Sequence, residues 1–508
     1  MHFSHLKRST PAQQKSRASI GRERSRALRG RLGFALLAAL AIAAGAAVSR
    51  APEAGAAPAQ PNFIVLMTDD QTNGELSVMK QTRRRIEGQG ASFDRFVTSY
   101  PLCCPSRTTF LTGQYSHNHG VLGNGTPIGG YPAFDKQDTM ASWLQDAGYH
   151  TIQIGKFLNG YPRPGDRTEV PPGWDEWYAC LNDSENQYFN YTLNENGTLT
   201  HYGSAPSDYK TDVYGNKAVT AVRQRAALGA SGQPFFMFVA FTAPHLPATP
   251  APRDRGRFRH RPLARARSFD EANVSDKPRF IRKLPRFTGA KVRKITRSYR
   301  SRLETLLSVD RVVGRVTDEL QSDGMLGDTY ILFMSDNGFF FGQHRLPKGK
   351  YLPYEGSSRT PTLMRGPGIP AGVHSDALVA NVDTAPTILE LAGATPSVTV
   401  DGRSLMPYAQ NPRMRSDRPV LLEANTIDDP SPGIPYTGIE TDRYKYIRYR
   451  DGEQELYDLA RDPGELRSRH RDPRYRRTKR ALAARLARLQ DCSGASCREP
   501  TGPIPGPQ

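Results

Sequence analysis

Four short apolar runs, each stopping abruptly at charged or amide side chains, set the pattern of this chain. Phe63-Ile64-Val65-Leu66-Met67 runs into Thr68-Asp69-Asp70, and Thr151-Ile152-Gln153-Ile154 runs into Gly155-Lys156. The run from Pro234 to Phe241 leads to Pro244-His245, and Tyr330-Ile331-Leu332-Phe333-Met334 leads to Ser335-Asp336-Asn337-Gly338. Runs of this length without polar alternation read as strands buried on both faces. Helix-length segments separate them, which predicts an α/β fold built on a mostly parallel sheet flanked by helices. Ligands of such sheets bind beyond the carboxyl ends of the strands, so the four polar ends are expected to meet. Singly, each has a plainer reading: Asp336-Asn337-Gly338 as a turn, Lys156 as a solvated charge, His245 as a partner for a loop carbonyl.

The periodicity changes toward the ends of the chain. Asp383 is placed to cap a short helix running through Leu391, with Pro386 early in it and Gly393 after it. Beyond Val400, Val420-Leu421-Leu422-Glu423, Tyr436-Thr437-Gly438-Ile439 and Tyr444 to Tyr449 read as short strands around turns, predicting a small antiparallel sheet. Arg474 to Leu489 alternates Arg with Ala and Leu at helical spacing, so one face should pack on that sheet, and the Pro- and Gly-rich segment Thr501 to Gln508 reads as a loose tail. At the other end, Lys7 to Arg31 is rich in basic residues and precedes the apolar run Leu32 to Val48 and a small-residue stretch at 54–59, the pattern of a signal peptide. An uncleaved membrane anchor is the alternative, and no later run is long enough to span a bilayer. The expected organisation is an exported N-terminal segment at 1–59, a catalytic domain at 61–398, a smaller antiparallel α+β subdomain at 399–498 and a tail at 499–508.

Candidate chemistry concentrates in Pro101-Leu102-Cys103-Cys104-Pro105-Ser106-Arg107-Thr108-Thr109-Phe110-Leu111-Thr112-Gly113. Pro105 suits the first turn of a helix, which puts Cys103 just before a helix N-terminus, with Arg107 one turn further on. Such an end favours anions, so a thiolate, phosphate or sulfate would be held there. An arbitrary Cys-Cys pair is more simply a buried thiol or half of a disulfide. Here the neighbours decide otherwise, because Cys-x-Pro-Ser-Arg followed by Leu111-Thr112-Gly113 resembles the signature of the formylglycine-dependent sulfatases. The resemblance runs from about residue 61 to 498. It takes in the four strand ends, Lys350 with Tyr354-Glu355-Gly356, Thr360 to Gly368, and Glu455-Leu456-Tyr457-Asp458-Leu459 followed by Asp462-Pro463.

That resemblance implies an alkaline-phosphatase-like core and the conversion of Cys103 to formylglycine by a dedicated generating enzyme. The hydrated aldehyde would carry two hydroxyls on one carbon, one to attack sulfur and one to expel sulfate afterwards. It also implies that Asp69, Asp70, Asp336 and Asn337 ligate one divalent cation beside the modified Cys103. Oxygen ligands point to calcium first and magnesium second. Arg107, Lys156 and Lys350 would help neutralise the sulfate, with Lys348 competing for the last role. Asp336 would take the proton from the attacking hydroxyl, and His245, assisted by Lys350, would protonate the leaving alcohol. The run Gly155-Lys156-Phe157-Leu158-Asn159-Gly160 has Leu158 where the commonest sulfatase pattern has histidine. With His117-Asn118-His119, it resembles the N-acetylglucosamine-6-sulfatase-like branch, implying a sulfated small molecule or glycan as substrate. Alternatives are an arylsulfatase or a phosphate or phosphonate ester hydrolase on the same core, and a non-catalytic secreted protein that binds sulfated polysaccharide.

Composition modifies this picture in two places. The 508-residue chain has a formal charge of +19, part of it in the basic N-terminal segment. A second concentration lies between Pro252 and Arg302, read as a solvated or partly disordered surface insertion, or alternatively as a steering surface for a polyanionic chain. Nothing there has the aromatic interleaving that would argue nucleic acid. With Cys103 assigned to catalysis, four of the five cysteines remain; Cys492 and Cys497 are close enough for a local loop, which leaves Cys104 and Cys180.

Overall fold

β1 (Asn62–Thr68), buried along its whole length, lies in the middle of a ten-stranded sheet in the computed structural model, which describes residues 60–229, 232–424 and 434–508. The expected signal segment at 1–59 lies outside the described residues. β2 (His150–Gly155), β3 (Phe235–Ala240) and β4 (Thr329–Ser335) are the other three predicted strands. Across the sheet the order is β4, β1, β3, β2 and then Glu176–Cys180, all parallel. Antiparallel strands sit outside them, Thr362–Arg365 against β4 on one side and the Tyr191–Glu195 and Thr198–Tyr202 hairpin on the other.

The alternation along β1 divides the core. Phe63, Val65 and Met67 face a cluster that includes Phe110, Leu111 and Trp143, whereas Ile64 and Leu66 face Val309, Val313 and Val316. Burial on both faces is why β1 carries no polar residue between Asn62 and Thr68. The second face is covered by a long helix, Gly289–Ser322, whose Thr288 side chain accepts from Lys291 N at its start. This corrects the reading of 252–302 as a surface insertion at its C-terminal end only, the arginines from Arg255 to Arg267 being largely exposed. The helix begins inside that segment, and Arg302 lies fully buried on its inner face beside Tyr299, Leu303 and Leu306.

Val420–Ala424, Tyr436–Glu440, Tyr444–Tyr449 and Gln454–Asp458 form a separate four-stranded antiparallel sheet. The helix Arg476–Leu489 buries Leu482, Leu486 and Leu489 in the same cluster as these strands. Cys492 and Cys497 are disulfide-bonded, while Cys104 and Cys180 are buried free thiols rather than a pair. The expected loose tail is tied down, since Thr478 Oγ1 donates to Pro505 O at 2.6 Å and Gln508 N to Arg474 O at 3.1 Å. Asp383 precedes the helix Thr384–Ala392, but its carboxylate does not cap it; it accepts from Ala380 N and Arg403 N and pairs with the buried Arg418. No described helix is long and apolar enough to cross a membrane.

Candidate active site

The strand registers bring the four polar ends to one level. Thr68 lies beside Ser335, Met67 beside Ala240, and Ala240 beside Gly155, so the residues that follow all leave the sheet at the same edge. Gly155 is required for this, since its φ is +104° and a Cβ there would lie 2.1 Å from Ala240 O. The turn it permits lets Lys156 N donate to Ala240 O at 2.9 Å and sends the lysine side chain over the sheet edge.

The helix Cys103–Thr112 begins at Cys103 itself, behind Leu102, and sets the cysteine against this edge. Cys103 Sγ is 3.7 Å from Asp69 Oδ1, 3.9 Å from Lys156 Nζ and 2.9 Å from Lys350 Nζ. Lys156 Nζ also pairs with Asp69 Oδ2 at 2.7 Å, and Lys350 Nζ with Asp70 Oδ1. Lys348 is exposed, whereas Lys350 is buried against Asp70 and Cys103. Arg107 is wholly buried and fully engaged: Nε donates to Asp336 Oδ2 at 2.8 Å, Nη2 to Asp69 Oδ2 at 3.2 Å and Nη1 to Lys156 O at 2.9 Å. Its guanidinium therefore clamps two carboxylates together instead of reaching back toward Cys103.

His245 is the most accessible of these groups, with its side chain 21% exposed and Nε2 3.8 Å from Asp70 Oδ2. Its Nδ1 meets Leu246 O at 2.6 Å, so Nδ1 carries the proton and Nε2 faces the site. Tyr188 OH donates to His245 O at 2.8 Å and fixes the loop.

The electrostatics follow from this packing. Burial would raise the Asp69 carboxyl, but Lys156 above all, then His245, Arg107 and Lys350, hold it well below its usual value. Burial and then Asp69 raise the Asp336 carboxyl against the pull of Arg107 and Lys350. Burial, followed by the Asp69 carboxylate, pushes the Cys103 thiol up to about 12. The expected thiolate is thus a neutral thiol, a poor nucleophile while it remains cysteine.

The donor set fits a divalent cation. Asp69, Cys103 and Asp336 each offer a ligand atom within 4.8 Å of the others, as do Asp69, Asp70 and His245. Asn337 adds an independent sign. Its Nδ2 donates to Asp70 Oδ1 at 2.7 Å and to Gly338 O at 2.9 Å, while Oδ1 is buried with no hydrogen-bond partner. An orphaned, buried carbonyl oxygen on a residue hydrogen-bonded to Asp70 suits an oxygen-preferring ion such as calcium or magnesium.

Residues 61–394 match the family model described as Sulfatase. The chain belongs to the sulfatase family. It is a sulfuric ester hydrolase, and residues 342–492 also match the C-terminal model of N-sulphoglucosamine sulphohydrolase. This sulfatase is 35% identical over 489 residues to the human N-acetylglucosamine-6-sulfatase, covering 87% of this chain and 86% of the relative. It is 37% identical over 352 residues to the putative extracellular sulfatase Sulf-1 homolog of Caenorhabditis elegans, covering 68% of this chain but only 49% of that one. The chain thus spans about half the length of the latter relative. A solved structure described as a complex with its substrate D-glucosamine-2-N,6-O-disulfate superposes with a TM-score of 0.74 at 26% identity, over 87% of this chain and 99% of that one. The phosphonate monoester hydrolase of Agrobacterium radiobacter shares the fold, with a TM-score of 0.63 at 21% identity, over 85% of this chain and 95% of that one.

Two features outside the predicted site residues bear on the sulfatase site. His117 and Asn118 are engaged by the C-terminal part of the chain: His117 Nδ1 meets Glu423 Oε2 at 3.0 Å, and Asn118 Nδ2 donates to Asp401 Oδ2 at 2.8 Å and to Cys492 O at 2.9 Å. His119 Nε2 lies 3.1 Å from Thr109 Oγ1. The His-Asn-His run therefore braces the signature helix against the C-terminal part of the chain. Conversely, Arg302 holds the site although no motif marked it. Its Nη2 donates to Asp70 O at 2.6 Å and Nη1 to Pro244 O at 3.1 Å, while Nε and Nη2 pair with buried Glu75. Asp70, at φ +71°, and the His245 loop are thereby hung on one guanidinium, which also stacks over Phe339 and Phe341. Arg302→Met alone leaves the Glu75 carboxylate buried and unpaired, a loss of about 3–5 kcal/mol. Adding Glu75→Gln is expected to restore thermal stability while cation affinity and kcat stay roughly 10- to 100-fold down, the scale set by groups that orient ligands. Full activity in the stable double variant would remove the positioning role.

Proposed function

We propose that this sulfatase hydrolyses sulfate monoesters of glycans, with 6-O-sulfated N-acetylglucosamine as the substrate unit, through a formylglycine hydrate at Cys103. The convergence of Asp69, Asp336, Lys156 and Lys350 on the Cys103 side chain carries the reading of class. The relatives named N-acetylglucosamine-6-sulfatase support the substrate.

One hydroxyl of the hydrate gives its proton to Asp336, whose ligand atom lies within 4.8 Å of Cys103 Sγ, and attacks sulfur. The ester S–O bond breaks, and the leaving sugar oxygen takes the Nε2 proton of His245 in its doubly protonated form, with Lys350 alongside. The second hydroxyl then gives its proton to His245 Nε2, left bare by the first step, the carbon–oxygen bond to the bound sulfate breaks, and aldehyde is restored for water to rehydrate. Lys156 and Lys350 offset charge at the reacting centre, and Arg107 acts by holding Asp69 and Asp336 in place. Asp69, Asp70, Asp336 and Asn337 would hold the divalent cation, which supplies Lewis-acid charge stabilisation when bound. The same reading makes the protein exported to an extracytoplasmic compartment and a client of a formylglycine-generating enzyme during maturation.

The leaving group provides the test. A sugar alkoxide leaves poorly and requires a proton, whereas a phenoxide needs little help. His245→Ala is expected to cut kcat/KM on N-acetylglucosamine 6-sulfate by roughly 100-fold or more and on an activated aryl sulfate by only a few-fold. Equal losses would take His245 out of the acid role. Sulfate release from aryl sulfates or other sulfate esters, with none from glucosamine 6-sulfates, would refute the substrate.

A further inference from the structure

The Arg-rich segment has one feature that the catalytic machinery does not use. Between Arg255 and Leu303 the sequence holds 17 Lys and Arg residues against three acids, Asp270, Glu271 and Asp276. All three acids already have partners: Asp270 pairs with Arg286, Glu271 with His344, and Asp276 with Lys277. Arg255, Arg257, Arg259, Arg265 and Arg267 are exposed, as are Lys291, Arg293, Lys294 and Arg297 on the first turns of the long helix.

The two stretches form one surface. Arg300 Nε donates to Arg261 O at 2.7 Å, Phe258 N to Glu304 Oε1 at 3.2 Å, and Phe269 packs on Phe287. That surface meets the loop that follows Asp70. Arg261 Nη2 donates to Ser77 Oγ at 3.2 Å, and a cavity of about 560 Å3 is walled by Arg265 and Arg267 on one side and Thr72, Asn73 and Gly74, which follow Asp70, on another. The carboxylates in its wall are neutralised from below, Glu355 by Arg359 and Lys445, and Glu465 by Lys445.

We infer that this basic surface is an extended subsite for the continuation of a sulfated polysaccharide chain whose reacting sulfate lies at Cys103. The inference rests on the proposal that the substrate is a sulfated glycan, and it adds that the natural substrate is polymeric. Charge complementarity carries it. Exposed guanidinium groups beside the loop that follows Asp70 raise the local concentration of a polyanion and offer its sulfates bidentate donors.

The experiment compares two substrates in the full-length protein. The parent and the triple variant Arg259→Ser/Arg265→Ser/Arg267→Ser are assayed on N-acetylglucosamine 6-sulfate and on a heparin hexasaccharide across a salt series. The triple variant is expected to match the parent on the monosaccharide and to lose roughly tenfold or more in kcat/KM on the hexasaccharide at low salt, with a shallower salt dependence. It should also elute earlier from immobilised heparin, and the triple Lys variant at the same positions should keep most of the parent's hexasaccharide activity and heparin retention. Unchanged hexasaccharide kinetics, or equal losses on both substrates, would overturn the inference. Retention on phosphatidylserine vesicles that the triple variant loses, with hexasaccharide kinetics untouched, would assign the surface to a membrane instead. A parent enzyme that retains heparin binding but hydrolyses neither substrate would refute the proposed substrate and not this surface.

Discussion

Cys103→Ala is expected to abolish turnover, and Cys103→Ser to lower it by roughly 10⁴-fold or more, the scale of losing an enzyme's nucleophile. The reason is geometric and chemical together. Cys103 sits at the first position of its helix with Lys350 Nζ 2.9 Å from its sulfur, whereas Cys104 Sγ points elsewhere, toward Asn159 Oδ1 at 3.1 Å. Only the first position can present a reacting oxygen to the buried carboxylates and lysines. A serine there attacks once but has no second hydroxyl, so the covalent sulfate it forms has no carbon–oxygen route to release. Rapid-quench assays should therefore show at most a single turnover in Cys103→Ser. Steady multiple turnover in either variant would contradict the assignment, and Cys104→Ser should leave the chemistry largely intact.

Asp69→Ala and Asp70→Ala are each expected to lower kcat/KM by more than about 100-fold and to weaken cation binding in parallel, and exhaustive chelation should reproduce the loss until calcium or magnesium is restored. Each substitution removes one of few anionic groups from a site already crowded by Arg107, Lys156 and Lys350. Without it, those buried cations repel the ion and one another. Asp336→Ala should be worse still, because Arg107 Nε loses its acceptor and Asp70 N and Asn337 N lose Asp336 Oδ1. Titration calorimetry separates loss of binding from loss of chemistry. Unimpaired activity after exhaustive chelation would exclude the cation.

The parts of this site legible in the sequence are those where strand burial and chemistry meet. A strand covered on both faces must be apolar along its interior, so the run 63–67 predicts β1, whose span is 62–68, and the abrupt arrival of Asp69-Asp70 marks the edge of the sheet. Residues that act through distant partners were not legible. Asp383 resembles a helix cap locally, but its partner Arg418 lies in another part of the chain. His117 and Asn118 carry catalytic side-chain types, yet Glu423, Asp401 and Cys492 claim them. Arg302 was hidden by composition, one arginine among many. Its position between Ile295, Tyr299, Leu306 and Val309, on the apolar face at helical spacing, is the signal that distinguishes it from its solvated neighbours.

Peptide mass analysis of residue 103 in catalytically active protein tests the central claim most directly. The account predicts formylglycine or its hydrate at position 103, in a fraction that tracks specific activity from one preparation to another, with Cys104 still a thiol. Fully active protein bearing an unmodified thiol at Cys103, or the aldehyde at Cys104, would contradict it.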